Sequence, residues 1–301
     1  MIIKSRELRW FHCGGLLGAF YVTSSAVWIP YVGYSLYFVC LVCGQLFAAL
    51  LIDWKGLLGS PQLPIQGGRV FGCILTLIGS VMVFLARSIV SHENQGSGSS
   101  LSMALGSISA VVSGLILPSQ VAVNNVLRRT QHLSTLATTA TSLFVGALAL
   151  LVITGMSYIW IPTIYDARNN QWWHWFGGML GWIYISASTQ FSPIIGYSSF
   201  FVAVISGQLL LALISDIVGL LGPIKESAAA PLSVLGVICS ASGAVVVSVY
   251  KAAGLKEADD LKVAGGGNGE LSKGYVDVGA VIELGTTRSP MNCSESEATS
   301  D

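Results

Sequence analysis

Charged residues are scarce in this sequence, since Asp, Glu, Lys and Arg make up 10% of it, against about 25% in soluble domains. That scarcity excludes a soluble globular protein. Only two acidic residues, Asp53 and Asp216, fall within the long apolar segments, each one position from a segment end. A proton-coupled antiporter needs a carboxylate deep in the membrane, so neither residue suits that role. We expect both to hold the Gly-Leu-Leu-Gly turn that follows through side-chain to backbone hydrogen bonds.

The motifs of catalysis are also missing from the sequence. It contains no His/Glu motif with metal-ligand spacing, no nucleophile elbow and no phosphate-binding loop, so we expect neither an enzyme nor a cofactor or metal site. Of its six cysteines, five fall in apolar segments, where cysteine behaves as a small apolar residue rather than as part of a disulfide framework. No nucleic acid partner is expected.

Apolar residues dominate the chain, at 53% of the sequence with a mean hydropathy of +0.70. They form segments of about 20 residues, each long enough to cross roughly 30 Å of hydrocarbon as a helix. The sequence therefore predicts an all-α, multi-pass integral membrane protein in contact with lipid. Eight spans are predicted, at 12–32, 34–54, 69–90, 101–124, 133–156, 173–195, 197–217 and 232–251.

The chain also repeats itself. Residues 14–59 and 177–222 align without a gap at an offset of 163, and 22 of the 46 positions are identical. The match includes the pairs Pro30/Pro193 and Asp53/Asp216, which chance alignment of apolar sequence does not explain. Four spans lie between the first and sixth spans, so these equivalent spans cross the membrane in opposite directions. The pattern predicts inverted-topology repeats, the architecture of many secondary transporters.

The two repeats differ in length. Residues 1–100 hold a three-span partial repeat and residues 101–251 a complete five-span repeat, because spans four and five have no counterpart before span one. Residues 252–301 are Gly/Ser-rich and acidic, with 4 Lys/Arg against 9 Asp/Glu, and we expect them to be disordered. The incomplete repeat also raises the hypothesis of a homodimer in which a second chain completes it.

Basic residues predict the orientation of the chain. Nine of them fall on the side of the membrane where both termini lie and three on the other side, namely Arg87, Arg168 and Lys225. Cytoplasmic loops of membrane proteins carry an excess of Lys and Arg, so both termini are expected to be cytoplasmic.

Several motifs carry a resemblance to a known family. In the first repeat they are Gly14-Gly-Leu-Leu-Gly18-Ala-Phe-Tyr-Val, Pro30, Gly44-Gln45-Leu46 and Asp53-x-x-Gly56-Leu-x-Gly59; in spans four and five they are Gly114-x-x-x-Pro118-x-Gln120-x-x-x-Asn124-x-x-Leu127-Arg128-Arg129 and Ser142-x-Phe144-x-Gly146. With these motifs the chain resembles the YdcZ-like exporters of the drug/metabolite transporter superfamily. In that family a five-span unit pairs with an inverted partner or is fused in tandem. The resemblance covers residues 9–251 and implies this fold and a transport role.

Amide side chains are the first candidates for a substrate pathway. Gln45 and Gln208 are repeat equivalents at the midpoints of their spans, where an unpaired amide is costly. They either meet a polar substrate between the repeats or make interhelical hydrogen bonds worth about 0.6 kcal/mol each. Gln120 and Asn124 share one helix face, and Pro118 either opens that helix towards a cavity or kinks it before an ordinary polar exit.

The remaining candidates are aromatic and small residues. Tyr21 and Tyr184 are repeat equivalents that either line the pathway with hydroxyl groups or pack in the core. Close helix contacts and hinges are predicted at Gly14, Gly18, Gly44, Gly177, Gly181, Gly207, Pro30, Pro193 and Pro118.

These features favour a secondary transporter that exports or exchanges a small metabolite by alternating access. A neutral, zwitterionic or modestly polar substrate is expected, because a strongly cationic one requires a buried carboxylate. The alternative is a non-transporting membrane scaffold, or a truncated relative without transport activity.

Overall fold

The computed structural model describes residues 14–60, 62–63, 66–90, 99–160, 176–218 and 230–264. Within these ranges all regular secondary structure is helical, which confirms the predicted all-α class. The eight helices are α1 (Gly14–Val32), α2 (Tyr34–Lys55), α3 (Gly67–Val90), α4 (Ser100–Thr130), α5 (Thr135–Trp160), α6 (Phe176–Ile195), α7 (Tyr197–Val218) and α8 (Ala230–Ala264).

Seven of the eight described helices are long and apolar enough to cross a membrane, and α6 is the exception. Eight spans were expected, so the described residues support seven of them and do not confirm the count of eight. Polar side chains at Ser186, Ser188, Thr189, Gln190 and Ser192 lower the hydropathy of α6. Three of them, Ser188, Thr189 and Ser192, are buried within the bundle. The polarity of α6 is therefore directed largely towards protein rather than lipid.

The end of α8 differs from the expectation. The last span was predicted to end at residue 251, but the helix continues to Ala264. The first residues of the predicted disordered tail are therefore helical. The rest of that tail, 265–301, lies outside the described residues.

The corners between α1 and α2 and between α6 and α7 each contain a glycine with a positive φ. Gly33 and Gly196 both have a φ of 82°, in the region that favours glycine. Pro30 and Pro193 lie in the last turns of α1 and α6, three residues before these glycines. Each proline weakens the helix end, and each glycine then lets the chain turn from one helix into the next.

Two apolar clusters place α2 and α7 at the centre of the bundle. One cluster joins α2, α4 and α7 around Leu41, Val121 and Phe201. The other joins α2 and α7 to α3 and α8 around Val42 and Val202. Since α2 and α7 are equivalent helices of the two repeats, the repeats meet along this central pair.

Glycines let two helix pairs approach closely. A Cβ atom on Gly44 of α2 would overlap the Val111 carbonyl of α4, and one on Gly114 would overlap the Leu41 carbonyl of α2. At the crossing of α3 and α8, a Cβ on Gly79 would overlap the carbonyl of Gly236. Small residues at such crossings are typical of packing between membrane helices, where van der Waals contact drives association.

One end of the bundle carries most of the described cations. Helix α2 ends there at Lys55, α3 begins near Arg69, and α4 ends with Arg128 and Arg129. We call this the basic end, and the other the opposite end. Helix α4 continues through Pro118 to the basic end as one helix.

Candidate functional site

The first part of the candidate site is a contact between α1 and α4. Gly14 of α1 lies against the side chain of Asn124, and Gly18 lies against that of Gln120. The two glycines are four residues apart on α1, and the two amide residues are four apart on α4. Each pair therefore lies on one helix face, and the two faces meet with the helices antiparallel. The glycines leave room for the amide side chains, so the helices pack closely without expelling them.

Asn124 has an unusual environment. It is 0% exposed, and among the described residues neither its Nδ2 nor its Oδ1 atom has a hydrogen-bond partner. Gln120, one turn away, is 5% exposed. Leaving a buried polar group unpaired costs about 1–3 kcal/mol, so Asn124 destabilises the fold in which it sits. Such groups call for an explanation beyond packing.

The neighbouring Asn125 connects α4 to α7. Its Nδ2 atom donates to the hydroxyl of Tyr197, at 3.1 Å. Tyr197 is the first residue of α7 and is 1% exposed. The Oδ1 atom of Asn125 has no partner in the described part of the chain. The polar face of α4 thus extends from the α1 contact to the start of α7.

Asp53 holds the beginning of α7. Its Oδ1 atom accepts from the Tyr197 backbone N–H at 2.9 Å, and its Oδ2 atom accepts from Ser198 N–H at 2.9 Å and from the Ser198 hydroxyl at 2.7 Å. A carboxylate in this position satisfies the free N–H groups of a helix and interacts favourably with its dipole. Asp53 therefore ties the end of α2 to its repeat equivalent, α7.

Arg69 completes this group as a buried ion pair. Its Nη2 atom donates to Asp53 Oδ2 at 2.5 Å and to the Ser198 hydroxyl at 2.6 Å. The arginine and aspartate side chains are 3% and 2% exposed. The sequence analysis identified Arg69 only as a basic residue near the cytoplasmic side and did not predict this pairing. The one signal in the sequence was that Arg69 follows Asp53, the only acidic residue in the spans of the first repeat.

From the sequence, the Asp53 side chain was expected to hold the Gly-Leu-Leu-Gly turn that follows it. In the structure its hydrogen bonds have other partners. Only its backbone carbonyl holds the following segment, accepting from Leu63 N at 2.8 Å, while the carboxylate binds α7 and Arg69. The repeat equivalent, Asp216, lies in the last turn of α7, and its side chain is outside the described part of the structure.

A second polar group at the basic end joins α4, α5 and α6. The Oε1 atom of Gln190 accepts from Arg128 at 3.1 Å and from the Thr135 hydroxyl at 2.5 Å. Arg129 donates to the carbonyl of Gly59 at 2.6 Å. The arginines at the end of α4 therefore bridge elements of both repeats, a role that the charge pattern alone did not reveal.

The opposite end has a smaller uncharged network. The hydroxyl of Ser24 is 2.9 Å from that of Tyr37 and 2.8 Å from that of Ser109. These residues join α1, α2 and α4, and none was identified from the sequence, because single serines and tyrosines in apolar helices carry little signal.

The repeat-equivalent glutamines have different environments. Gln45 of α2 is buried near the crossing with α4, at 5% exposure, whereas Gln208 of α7 is exposed. No hydrogen bond joins them in the described part of the chain. The two amides therefore differ in burial, although they occupy equivalent positions in the two repeats. The repeat-equivalent tyrosines, Tyr21 and Tyr184, are both partly buried.

The predicted contact glycines also divide by repeat. Gly14, Gly18 and Gly44 lie against α4, whereas Gly177 and Gly181 on α6 have no atom near the position of an added Cβ among the described residues. Gly207 on α7 is equally open. Described residues thus cover this small-residue surface in the first repeat, whereas none of them covers its counterpart in the second.

Comparison with known proteins identifies the family. Residues 4–82 and 105–246 match the family described as "Putative inner membrane exporter, YdcZ". The chain belongs to this family. The match covers most of the sequence and confirms the resemblance carried by the motifs of α1, α2 and α4. Membership of an exporter family and the apolar helices together identify a multi-pass membrane protein of the transporter class. Among curated proteins, none matches the chain.

Proposed function

We propose that this YdcZ-family protein exports or exchanges a small polar or amphipathic metabolite by alternating access. The observation that carries the proposal is Asn124, fully buried with neither amide atom paired among the described residues. An amide that served only the fold would lower stability at this position and contribute nothing else. A role in substrate binding explains why the protein has such a destabilising amide, because transporters bind their substrates with polar groups within the bundle.

The substrate we propose is neutral or zwitterionic. Asp53 is the one acid in the described spans whose surroundings are known, and its carboxylate is already engaged by Arg69 and by the start of α7. A substrate cation competing for it would have to disrupt the buried pair between Asp53 and Arg69, which is costly. Amide groups at Gln120 and Asn124 can both donate and accept, which suits hydroxyl, amide or zwitterionic substrates.

We further propose that α6 is an eighth span and that the two repeats are inverted in the membrane. The matching positive φ of Gly33 and Gly196 supports the equivalence of the two repeats. The polar residues of α6 are compatible with a span because three of them are buried in protein. The basic end would face the cytoplasm, as the excess of Lys and Arg there predicts.

Contacts between α3 and α8 support the inversion most directly. With a repeat offset of 164 in this region, Gly72 corresponds to Gly236 and Gly79 to Gly243. Gly79 lies against the Gly236 carbonyl, and Gly243 lies against the Gly72 carbonyl. Exchanging the repeats turns the first contact into the second. A two-fold axis through this crossing requires such an exchange of contacts.

Efflux from proteoliposomes tests the proposed function. The vesicles are loaded with a defined mixture of neutral, zwitterionic, anionic and cationic metabolites, and the released compounds are followed by mass spectrometry. We expect release of a neutral or zwitterionic compound by the native chain and its loss with Asn124→Leu. Ser119→Ala serves as the matched control, because the Ser119 hydroxyl bonds only within α4, to the carbonyl of Leu115. No release of any compound would favour a non-transporting scaffold.

A further inference from the structure

Three helices meet near the basic end around one hydrogen-bonded group, which we call the three-helix link. It consists of Arg128 of α4, Thr135 of α5 and Gln190 of α6. Arg128 donates to the Thr135 hydroxyl oxygen at 3.2 Å and to Gln190 Oε1 at 3.1 Å. The Thr135 hydroxyl donates to the same Oε1 atom at 2.5 Å. The link therefore fixes which faces of α4, α5 and α6 are turned towards one another.

Farther from the basic end, each of these three helices carries a polar side chain without a partner. Asn124 lies four residues before the α4 member of the link, Ser186 four residues before the α6 member, and Ser142 seven residues after the α5 member. Residues at these spacings share a helix face, so all three side chains lie on the faces that meet at the link. Among the described residues, neither serine hydroxyl and neither amide atom of Asn124 has a hydrogen-bond partner.

Helix α1 confirms that two of these residues are neighbours. Gly14 lies against the Asn124 side chain, and the adjacent Gly15 lies against backbone atoms of Ser142. Consecutive Cα atoms are about 3.8 Å apart, so Asn124 of α4 and Ser142 of α5 reach adjoining points on α1. Asn124 is 0% exposed and Ser142 is 2% exposed, so both lie inside the bundle.

The unpaired hydroxyls do not use the partner that a helix offers them. Serine and threonine in a helix can donate to the carbonyl three or four residues earlier, as Ser188 on α6 and Thr139 on α5 do. Ser142 and Ser186 make no such bond in the described structure. Neither does Thr189 of α6, which is 0% exposed and lies one turn from Ser186. We call the four unpaired residues the polar quartet: Asn124, Ser142, Ser186 and Thr189.

The helices around the polar quartet carry almost no charge. Helices α1, α5 and α6 contain no Asp, Glu, Lys or Arg, and α4 has only the two arginines in its last turn. An ammonium group at the quartet would meet no carboxylate on these helices, and a buried ion without a counter-charge is costly. Hydroxyl and amide groups both donate and accept, so they pair well with the hydroxyl groups of a neutral molecule.

We infer that the polar quartet binds a neutral polyhydroxylated compound, whose hydroxyl groups take the hydrogen bonds that α4, α5 and α6 leave open. This binding rests on the transport role proposed above, and it narrows the substrate class from neutral or zwitterionic to neutral. Ser142, Ser186 and Thr189 are specificity-determining residues, because a buried group that pairs with a substrate hydroxyl disfavours an analogue lacking it. The three-helix link lies between this site and the basic end.

Equilibrium binding of tritium-labelled erythritol and mannitol to the purified full chain in detergent tests the inference. The competitors are the unlabelled polyols, butanediol, which has the carbon chain of erythritol with fewer hydroxyls, and threonine, a zwitterion of the same chain length. We expect saturable binding of at least one polyol, with displacement by that polyol and none by butanediol or threonine at the same concentration. Absence of saturable binding of both polyols, or equally effective displacement by threonine, would overturn the inference.

Serine substitutions show whether the polyol occupies the polar quartet. Ser142→Ala and Ser186→Ala should each weaken polyol binding about 3- to 10-fold, as expected for the loss of one hydrogen bond. Ser188→Ala is the matched control on α6, because its buried hydroxyl bonds only to the carbonyl of Ile185, and it should leave the affinity unchanged. Equal effects of Ser186→Ala and Ser188→Ala would mean that the polyol is bound elsewhere. Elution in detergent, which we expect to be native for all three, separates lost binding from misfolding.

Binding and transport are measured separately, so the two proposals can fail independently. Saturable polyol binding without efflux of any compound would refute the transport role, and the binding site would stand. Efflux of a zwitterionic compound by a chain that binds neither polyol would refute the substrate class inferred here, and the transport role would stand.

Discussion

Removing Arg69 should destabilise the bundle strongly, because it leaves the Asp53 carboxylate buried without its counter-charge. The two side chains are 3% and 2% exposed, so solvent screens the interaction little. Breaking one partner of a buried ion pair costs about 3–5 kcal/mol. In Arg69→Met, Asp53 keeps its two bonds to the backbone N–H groups of α7, so we expect the lower part of that range.

Asp53→Ala should cost more than Arg69→Met, since it also removes the capping bonds at Tyr197 and Ser198. Loss of a helix cap costs about 1 kcal/mol, which sets the expected difference between the two variants. In the double variant no charge is stranded, so the combined loss should fall below the sum of the single losses by about 1–3 kcal/mol.

The assay is reversible unfolding in mixed micelles, with helix content measured by circular dichroism as the fraction of denaturing detergent rises. Lys55→Met is the matched control: it removes an exposed cation at the same end of α2, and such a change is worth about 0–1 kcal/mol. If Arg69→Met costs no more than Lys55→Met, the buried pair does not stabilise the junction of the two repeats and the reasoning is wrong.

Three further predictions use the same unfolding assay. Gly44→Ala should destabilise the chain by about 1–3 kcal/mol through overpacking against α4, while Gly207→Ala on the uncovered side should change little; equal effects would contradict the difference between the repeats. Asn124→Ala should stabilise the chain by about 1–2 kcal/mol, since it removes an unpaired buried amide, and should abolish efflux. Tyr37→Phe should cost about 1 kcal/mol by removing the bond to Ser24, and a neutral result would show that this network contributes nothing.

Much of the architecture could be predicted from the sequence because a bilayer constrains it so strongly. Backbone groups in hydrocarbon must be satisfied internally, so long apolar runs become helices, as the ranges of α1 to α8 confirm. The family was recognisable from glycine and amide motifs in α1, α2 and α4. Helix α6 was harder, because hydropathy does not reveal which of its serines face protein.

The site could be predicted only in part. Amide spacing on α4 pointed to Gln120 and Asn124, but periodicity does not reveal that Asn124 has no partner. The pairing of Asp53 with Arg69 and α7 depends on contacts between distant parts of the chain. The equivalent positions of Gln45 and Gln208 in the repeats also did not predict that their burial would differ. Since α4 covers only one of the two surfaces, one amide is buried and the other is exposed.

Two-sided accessibility of position 120 tests alternating access most directly. In sealed vesicles, Gln120→Cys is exposed to a membrane-impermeant thiol reagent applied from the inside or from the outside, with the native chain as baseline for its own cysteines. Alternating access predicts labelling from both sides, and prior labelling from one side should block labelling from the other. Labelling from neither side, or from the basic end alone, would contradict a pathway through the α1–α4 contact.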